Sequence, residues 1–211
     1  MMQMKRFLAL TALAVAGLLG TSASTQAGFL PVLTSPAPGG TSSVFTYSLN
    51  FSTNGGAAGP VLLTAGDTLT IYDFASGITN PPLAGSIVIT NGGTVPVGGA
   101  LTPTVQLVGI TPGGVLPTDN VALNNITFTY SGPNVAADAT FTAVITTTGG
   151  PYTTRVGQYT STDTSSIGLG KNAQIGNVFA PTPVPEPTSV ALMGMGLAGG
   201  LGLYRRNKAS A

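Results

Sequence analysis

The chain has 211 residues, and only 6% of them are charged, against roughly 25% in an ordinary soluble domain. It contains no Cys, no His and no Trp. The absence of Cys excludes disulfides, thiolate nucleophiles and Cys-ligated metal centres. The absence of His removes the commonest general base and metal ligand, which excludes His-dependent triads and zinc hydrolase sites.

The net charge of +1 conceals a segregation of the charges along the chain. Five of the seven basic residues lie near the two ends. Residues 28–183 contain two basic residues, Arg155 and Lys171, and five Asp residues, so this segment is acidic. A segment without a basic patch does not favour nucleic acid as a partner.

The first 27 residues have the pattern of a secretory signal peptide. Lys5 and Arg6 are followed by an apolar run from residue 7 to 20, and then by small residues up to Ala27. This order of basic, apolar and small-residue regions predicts export, with cleavage between Ala27 and Gly28. The apolar run is shorter than the roughly 20 residues of a membrane-spanning helix. An uncleaved N-terminal membrane anchor is the alternative interpretation.

Residues 28–180 are predicted to form one antiparallel β-sandwich-like domain, rich in Thr and Gly. Three segments alternate apolar and polar side chains with the period of a half-buried strand: residues 44–51, 125–130 and 139–147. The last two could form a hairpin with an eight-residue loop. Residues 29–43, with three prolines and a Gly pair, predict an irregular lead-in. Weaker strand candidates are residues 68–74, 86–90, 104–110, 153–160 and 175–179, separated by Gly- and Pro-rich turn signals.

The carboxylates of this domain offer little basis for catalysis. Asp67 and Asp73 would lie about 20 Å apart on one strand, whereas a glycosidase pair needs roughly 5–9.5 Å. Asp67 and Asp119 have the sequence context of turn residues. Asp119, Asn120 and Asp163 are at best isolated calcium ligands. The sequence therefore predicts neither catalytic residues, nor a metal site, nor a cofactor.

Three Thr-x-Thr pairs, at 68/70, 127/129 and 140/142, could present ordered hydroxyls to ice or to sugars. The competing interpretation is that β-branched Thr suits the solvent face of a strand in a chain with so few charges. The sequence favours this second interpretation.

The C-terminal 31 residues divide into three parts. Residues 181–187 (PTPVPEP) predict an extended spacer. Residues 188–204 predict a transmembrane helix, although its 16-residue apolar run reaches only about 24 Å against a hydrocarbon thickness of about 30 Å. Arg205, Arg206 and Lys208 then mark a cytoplasmic end. Such a short, Gly-rich span suits a transient anchor.

This tail resembles the PEP-CTERM sorting signal of Gram-negative bacteria. Pro185, Glu186 and Pro187 match the Pro-Glu-Pro signature, and the apolar span and basic stop follow in the same order and spacing. The resemblance covers about an eighth of the chain. It implies recognition by an exosortase, an integral membrane enzyme, with Pro185, Glu186 and Pro187 as recognition elements. It further implies anchor removal and delivery to the cell surface or the extracellular polysaccharide matrix. An ordinary tail anchor is the alternative.

The leading functional prediction is an exported, exosortase-sorted surface or biofilm-matrix protein with a non-catalytic structural or interaction role. Its expected partners are the exosortase, the membrane as a transient anchor, and extracellular polysaccharide. The second prediction is a carbohydrate-binding or adhesive module, which aromatic side chains exposed on one sheet face would favour. The third is a carboxylate-dependent hydrolase, which would need two Asp side chains within about 10 Å in a pocket.

Overall fold

A computed structural model of the chain describes residues 28–54, 59–74, 78–79, 82–92, 94–148, 151–168, 170–183 and 195. The predicted signal segment and, apart from residue 195, the predicted transmembrane helix lie outside these residues. Within them, no helix is long and apolar enough to cross a membrane. The strands are β1 (Gly28–Ser35), β2 (Thr41–Ser42), β3 (Val44–Ser52), β4 (Val61–Leu62), β5 (Thr68–Phe74), β6 (Ile87–Asn91), β7 (Ala100–Gln106), β8 (Asn124–Ser131), β9 (Ala139–Thr146), β10 (Tyr152–Ser165) and β11 (Lys171–Pro183).

The strands form two antiparallel sheets. The four-stranded sheet has the order β1-β3-β9-β6, and the seven-stranded sheet has the order β11-β10-β5-β8-β7, with β2 and β4 paired to β10. The prediction of an all-β antiparallel fold is therefore confirmed. The two long strands β10 and β11 form a hairpin in which Thr164 pairs with Lys171 and Tyr152 with Pro183.

The core lies between the two sheets and follows the alternation of the sequence. In β3, β8 and β9 the apolar residues of each alternating run are buried. Aromatic rings join the sheets: the ring centroids of Phe45 and Phe74 are 6.0 Å apart, and those of Tyr130 and Phe141 are 6.2 Å apart. The buried apolar residues of these three strands are Phe45, Tyr47, Leu49, Phe51, Ile126, Phe128, Tyr130, Ala139, Phe141, Ala143 and Ile145.

The predicted hairpin between residues 125–130 and 139–147 is wrong. The first segment is β8, which pairs with β5 and β7, whereas the second is β9, which pairs with β3 and β6 in the other sheet. The seven residues between β8 and β9 cross the sandwich, and Val135 forms an isolated bridge with Leu63. Because both strands are apolar on one face only, each covers one side of the same core. Sequence alternation fixes the buried face of a strand but not the sheet that contains it.

Three strands that contain proline have different bounds from those predicted from the sequence. Residues 29–35 belong to β1 rather than to an irregular lead-in, and Pro31 lies in that edge strand. Pro103 lies in β7, which spans residues 100–106 rather than 104–110. Strand β11 continues through residues 181–183, where the sequence predicts a spacer. All three strands lie at sheet edges, where the missing N–H of proline breaks no ladder bond.

Residues 107–123, here called the covering loop, pack on the outer face of the seven-stranded sheet. A Cβ added to Gly109 would lie 2.5 Å from a ring carbon of Tyr72, so only glycine allows this close approach. The Tyr72 hydroxyl donates to the carbonyl of Ile110 at 3.0 Å. As a result, both faces of the middle parts of β5 and β8 are buried.

Candidate functional site

The two ends of the sandwich, Gly28 and Pro183, lie next to the two processing signals that the sequence predicts. Strand β11 ends at Pro183, in register with Tyr152 at the start of β10. The predicted sorting residues Pro185, Glu186 and Pro187, and the basic residues Arg205, Arg206 and Lys208, lie outside the described residues. The sorting segment therefore begins where the edge strand ends.

The entry point is Gly28, the residue that follows the predicted cleavage site; Ala27 lies outside the described residues. Gly28 begins β1 opposite Ser52, is buried, and has a φ of 92°, a conformation that favours glycine. A Cβ at this position would lie 2.5 Å from Oδ2 of Asp163 and 2.8 Å from Nε2 of Gln174. The backbone of Gly28 thus lies directly against two polar side chains of the other sheet.

Asp163 is a buried carboxylate on β10 with no exposed surface. It accepts hydrogen bonds from Nδ2 of Asn172 and from Nε2 of Gln174, each at 2.8 Å. Burial raises the pKa of Asp163, and the nearby charge of Asp67 raises it further, while these two amide bonds and the charge of Lys171 act in the opposite direction. Within the described part of the chain, the buried Oε1 of Gln174 has no hydrogen-bond partner.

Asp67 closes the turn before β5. Its carboxylate is fully buried and accepts hydrogen bonds from the amide of Thr64 at 2.6 Å and from the hydroxyl of Thr164 at 3.4 Å. It also forms an ion pair with Nζ of Lys171, whose side chain is 49% exposed. These contacts give Asp67 a structural role, as its turn context suggested.

The other three carboxylates also accept hydrogen bonds from the domain itself. Asp119 accepts from Nδ2 of Asn125 at 3.0 Å, and Asp73 accepts from the amide of Asn120 at 2.7 Å. Asp138 accepts from the amide and the hydroxyl of Thr53, which hold the pKa of Asp138 below its usual value. No group of three or more His, Cys, Asp or Glu residues in the described ranges lies close enough to hold a metal ion.

One shallow pocket lies on the seven-stranded sheet beside the covering loop. It has a volume of about 290 Å³ and is lined by Asp73, Thr118, Gln158 and Asn177, among others. Asp73 has a φ of 55°, which is uncommon for a residue other than Gly. It lies where the register of β5 and β8 shifts, and its amide donates to Oδ1 of Asn125 at 2.8 Å. Its carboxylate accepts from the amide of Asn120, and this bond attaches the covering loop to β5.

In two of the three Thr-x-Thr pairs, one of the two Thr side chains is buried. Thr70 and Thr127 are buried beneath the covering loop, and their hydroxyls lie 2.9 Å apart. Thr68 bonds Thr162 through both its amide and its hydroxyl. The pair Thr140 and Thr142 lies on the outer face of the four-stranded sheet, as expected for polar positions of an alternating strand.

That outer face is uncharged throughout. None of β1, β3, β6 and β9 contains an Asp, Glu, Lys or Arg residue. Strand register places the hydroxyls of Ser48, Thr142 and Thr90 in one row, and Asn50 and Thr140 in the next. The aromatic side chains among the described residues are buried or partly buried, so none forms an exposed stacking surface.

Sequence reasoning missed the contact of Gly28 with Asp163. Their separation of 135 positions gives no local signal, because only the packing of β1 against β10 brings them together. One indication was available in principle. Asp163 continues the inward-facing series of Tyr159 and Ser161 at a spacing of two, a signal that the predicted strand at residues 153–160 did not include.

Comparison with protein families finds the PEP-CTERM protein-sorting motif at residues 183–206. The chain therefore carries this motif at its C-terminal end, as predicted. Neither the curated proteins nor the solved structures contain a match to the chain. The motif marks an exported protein that is anchored in the membrane, processed by an exosortase and then released to the cell surface.

Proposed function

We propose that this chain is a non-catalytic structural or interaction protein of the cell surface or of the extracellular polysaccharide matrix of a Gram-negative bacterium. Signal cleavage after Ala27 would release Gly28 as the first residue. An exosortase would then recognise Pro185, Glu186 and Pro187 and remove the anchor. The observation that carries the proposal is the sorting motif at residues 183–206, which begins where the last strand of the sandwich ends.

The hydrogen bonds that the carboxylates make within the domain support the non-catalytic role. Each of the five Asp side chains of the sandwich accepts hydrogen bonds from its own domain, and the chain has no His or Cys to serve as a base or nucleophile. The shallow pocket on the seven-stranded sheet is lined by one carboxylate, that of Asp73. A glycosidase-type mechanism needs two.

The sorting step can be tested by replacing Pro185, Glu186 and Pro187 together with Ala in the native host. We expect the substituted chain to keep its C-terminal segment and to be lost from the surface fraction, since the recognition element is gone. Mass spectrometry of both chain ends provides the measurement. Ser210→Ala, outside the matched residues, is the control and should be processed normally.

The proposal would be contradicted if the triple variant reached the surface normally with the same C-terminal end as the unsubstituted chain. The same result for the unsubstituted chain in a host without its exosortase would also contradict it. The same spectra report the N-terminal end. An N-terminus other than Gly28 would overturn the proposed signal-cleavage site without affecting the sorting step.

A second candidate function is binding to extracellular polysaccharide through the outer face of the four-stranded sheet. The observation that favours it is the uncharged set of hydroxyl and amide side chains on neighbouring strands, which suits the hydroxyls of neutral sugars. Against it stands the absence of exposed aromatic rings among the described residues.

This candidate predicts that the chain is retained on a column carrying the neutral polysaccharide of its host. Thr142→Glu, which puts a charge at the centre of this face, should reduce retention, because the carboxylate would lose hydration on contact with sugar. Leu116→Glu, on the covering loop with 94% exposure, is the matched control and should leave retention unchanged. Equal retention of both variants would exclude this face as the binding surface.

A further inference from the structure

We propose that the α-ammonium group created by signal cleavage at Gly28 binds in a pocket formed by the carboxylate of Asp163 and the side-chain amide of Gln174. The sandwich would thereby hold its own mature N-terminus by a buried ion pair. This inference rests on the proposed function, because it requires cleavage between Ala27 and Gly28.

The geometry brings the three groups together. The Cβ position of Gly28 lies 2.5 Å from Oδ2 of Asp163 and 2.8 Å from Nε2 of Gln174. A backbone nitrogen lies about 2.5 Å from the Cβ position of its own residue, so the Gly28 nitrogen is within about 5 Å of that carboxylate oxygen. A hydrogen bond between the two groups requires the freed chain end to move by up to about 2 Å toward Asp163. A Cβ at position 28 would clash with these two side chains, which accounts for glycine there.

An ammonium group would supply two things to this pocket: a positive charge beside Asp163 and a hydrogen-bond donor for Gln174. Asp163 is a fully buried carboxylate, and its two hydrogen-bond donors among the described residues, Asn172 and Gln174, are both neutral amides. A buried anion of this kind is costly without an opposite charge. Beside it, the buried Oε1 of Gln174 receives no hydrogen bond from the residues that the structure describes. An ammonium supplies one positive charge and three N–H donors.

The uncleaved chain does not supply this charge or as many donors. Its peptide nitrogen at Gly28 carries a single N–H and no charge. Two charged groups of the described residues act on Asp163: Asp67 disfavours its ionisation, and Lys171 favours it. Lys171 is already paired with Asp67. The pocket therefore fits the cleaved N-terminus better than a continuing chain.

The two forms should differ in how their stability depends on pH. In a chain extended by Ala27, burial raises the pKa of Asp163, so the folded state binds its proton more tightly than the unfolded state and stability falls as pH rises through that raised pKa. In the chain that begins at Gly28, the ammonium stabilises the carboxylate. Its own pKa rises above the usual value of about 7.7–8.0, and its contribution is lost only when pH rises through that higher value.

The test compares two chains that both run to Ala211 in the same mild detergent, one beginning at Gly28 and the other at Ala27. Both are released from a fusion tag in vitro, so their ends are known. The measurement is the rate of α-amino acetylation against pH, followed by mass spectrometry of the N-terminal peptide. We expect a pKa at least one unit higher for Gly28, and hence about tenfold slower acetylation near neutral pH.

Asp163→Asn should remove the difference between the two chains, while Asp138→Asn, a surface carboxylate, should preserve it. If Asp163→Asn fails to fold, the inference is still tested by comparing the chains that begin at Gly28 and at Ala27 with Asp163 in place. Equal α-amino pKa values in those two chains would overturn the inference. Because the ends are set in vitro, this result does not depend on where the host cleaves the chain, so it is separate from a failure of the proposed export.

Discussion

Phe141→Ala should lower the free energy of unfolding by about 3–5 kcal/mol, the usual cost of truncating a buried aromatic side chain to Ala. Phe141 has no exposed surface. Its ring centroid lies 6.2 Å from that of Phe29 in its own sheet and 6.2 Å from that of Tyr130 in the opposite sheet. Removing the ring opens a cavity between the two sheets and breaks both aromatic contacts.

The size of this effect follows from the composition of the chain. Without disulfides, and with very few charges, the domain depends mainly on the apolar layer between its sheets. Domains of this kind have a total stability of about 5–15 kcal/mol, so one substitution removes a large share of it. Denaturant unfolding followed by tyrosine fluorescence provides the measurement, since the chain has six Tyr and no Trp.

Thr142→Ala is the matched control, because it lies next to Phe141 on the same strand but on the outer face. It should change the free energy of unfolding by no more than about 1 kcal/mol, the range of strand propensity effects. Similar losses for the two variants would mean that the two faces of β9 are not divided between core and solvent as the structure shows.

The sequence predicted this division well for the alternating strands. In β3, β8 and β9 the apolar positions were assigned to the buried face, and the structure buries them. Such assignments succeed because the period of two is a local property of the strand. The same alternation could not assign β8 and β9 to different sheets, since pairing depends on contacts between residues far apart in the chain.

The polar interior was the least predictable part. Thr70 and Thr127 have the sequence pattern of solvent-facing positions, yet they are buried, because the covering loop lies over them. Gly109 allows that approach, but nothing near it in the sequence identifies Tyr72 as its neighbour. The pocket of Asp163 likewise depends on β1 packing against β10. Sorting signals, in contrast, are read from the linear order of residues, which is why the C-terminal motif could be identified without a structure.

Asp67→Ala should lower the free energy of unfolding by about 2–4 kcal/mol. The substitution leaves the amide of Thr64 without its acceptor. The hydroxyls of Thr64 and Thr164 lie 2.7 Å apart and still bond each other, so one of the two also loses its acceptor, and each such loss costs about 1–3 kcal/mol. Lys171 contributes less to the loss, because its side chain is 49% exposed and water can solvate the charge once the ion pair is broken.

Two further variants separate these contributions. Asp67→Asn keeps an oxygen that can accept from Thr64, so it should recover about half of the loss while removing the ion pair. Asp138→Ala makes the same chemical change at an exposed carboxylate that accepts two hydrogen bonds from Thr53. Because water can replace that acceptor, its cost should be smaller than that of Asp67→Ala.

Equal losses for Asp67→Ala and Asp138→Ala would show that burial does not set the contribution of Asp67. A loss in Asp67→Asn as large as in Asp67→Ala would assign the stabilisation to the ion pair rather than to the turn.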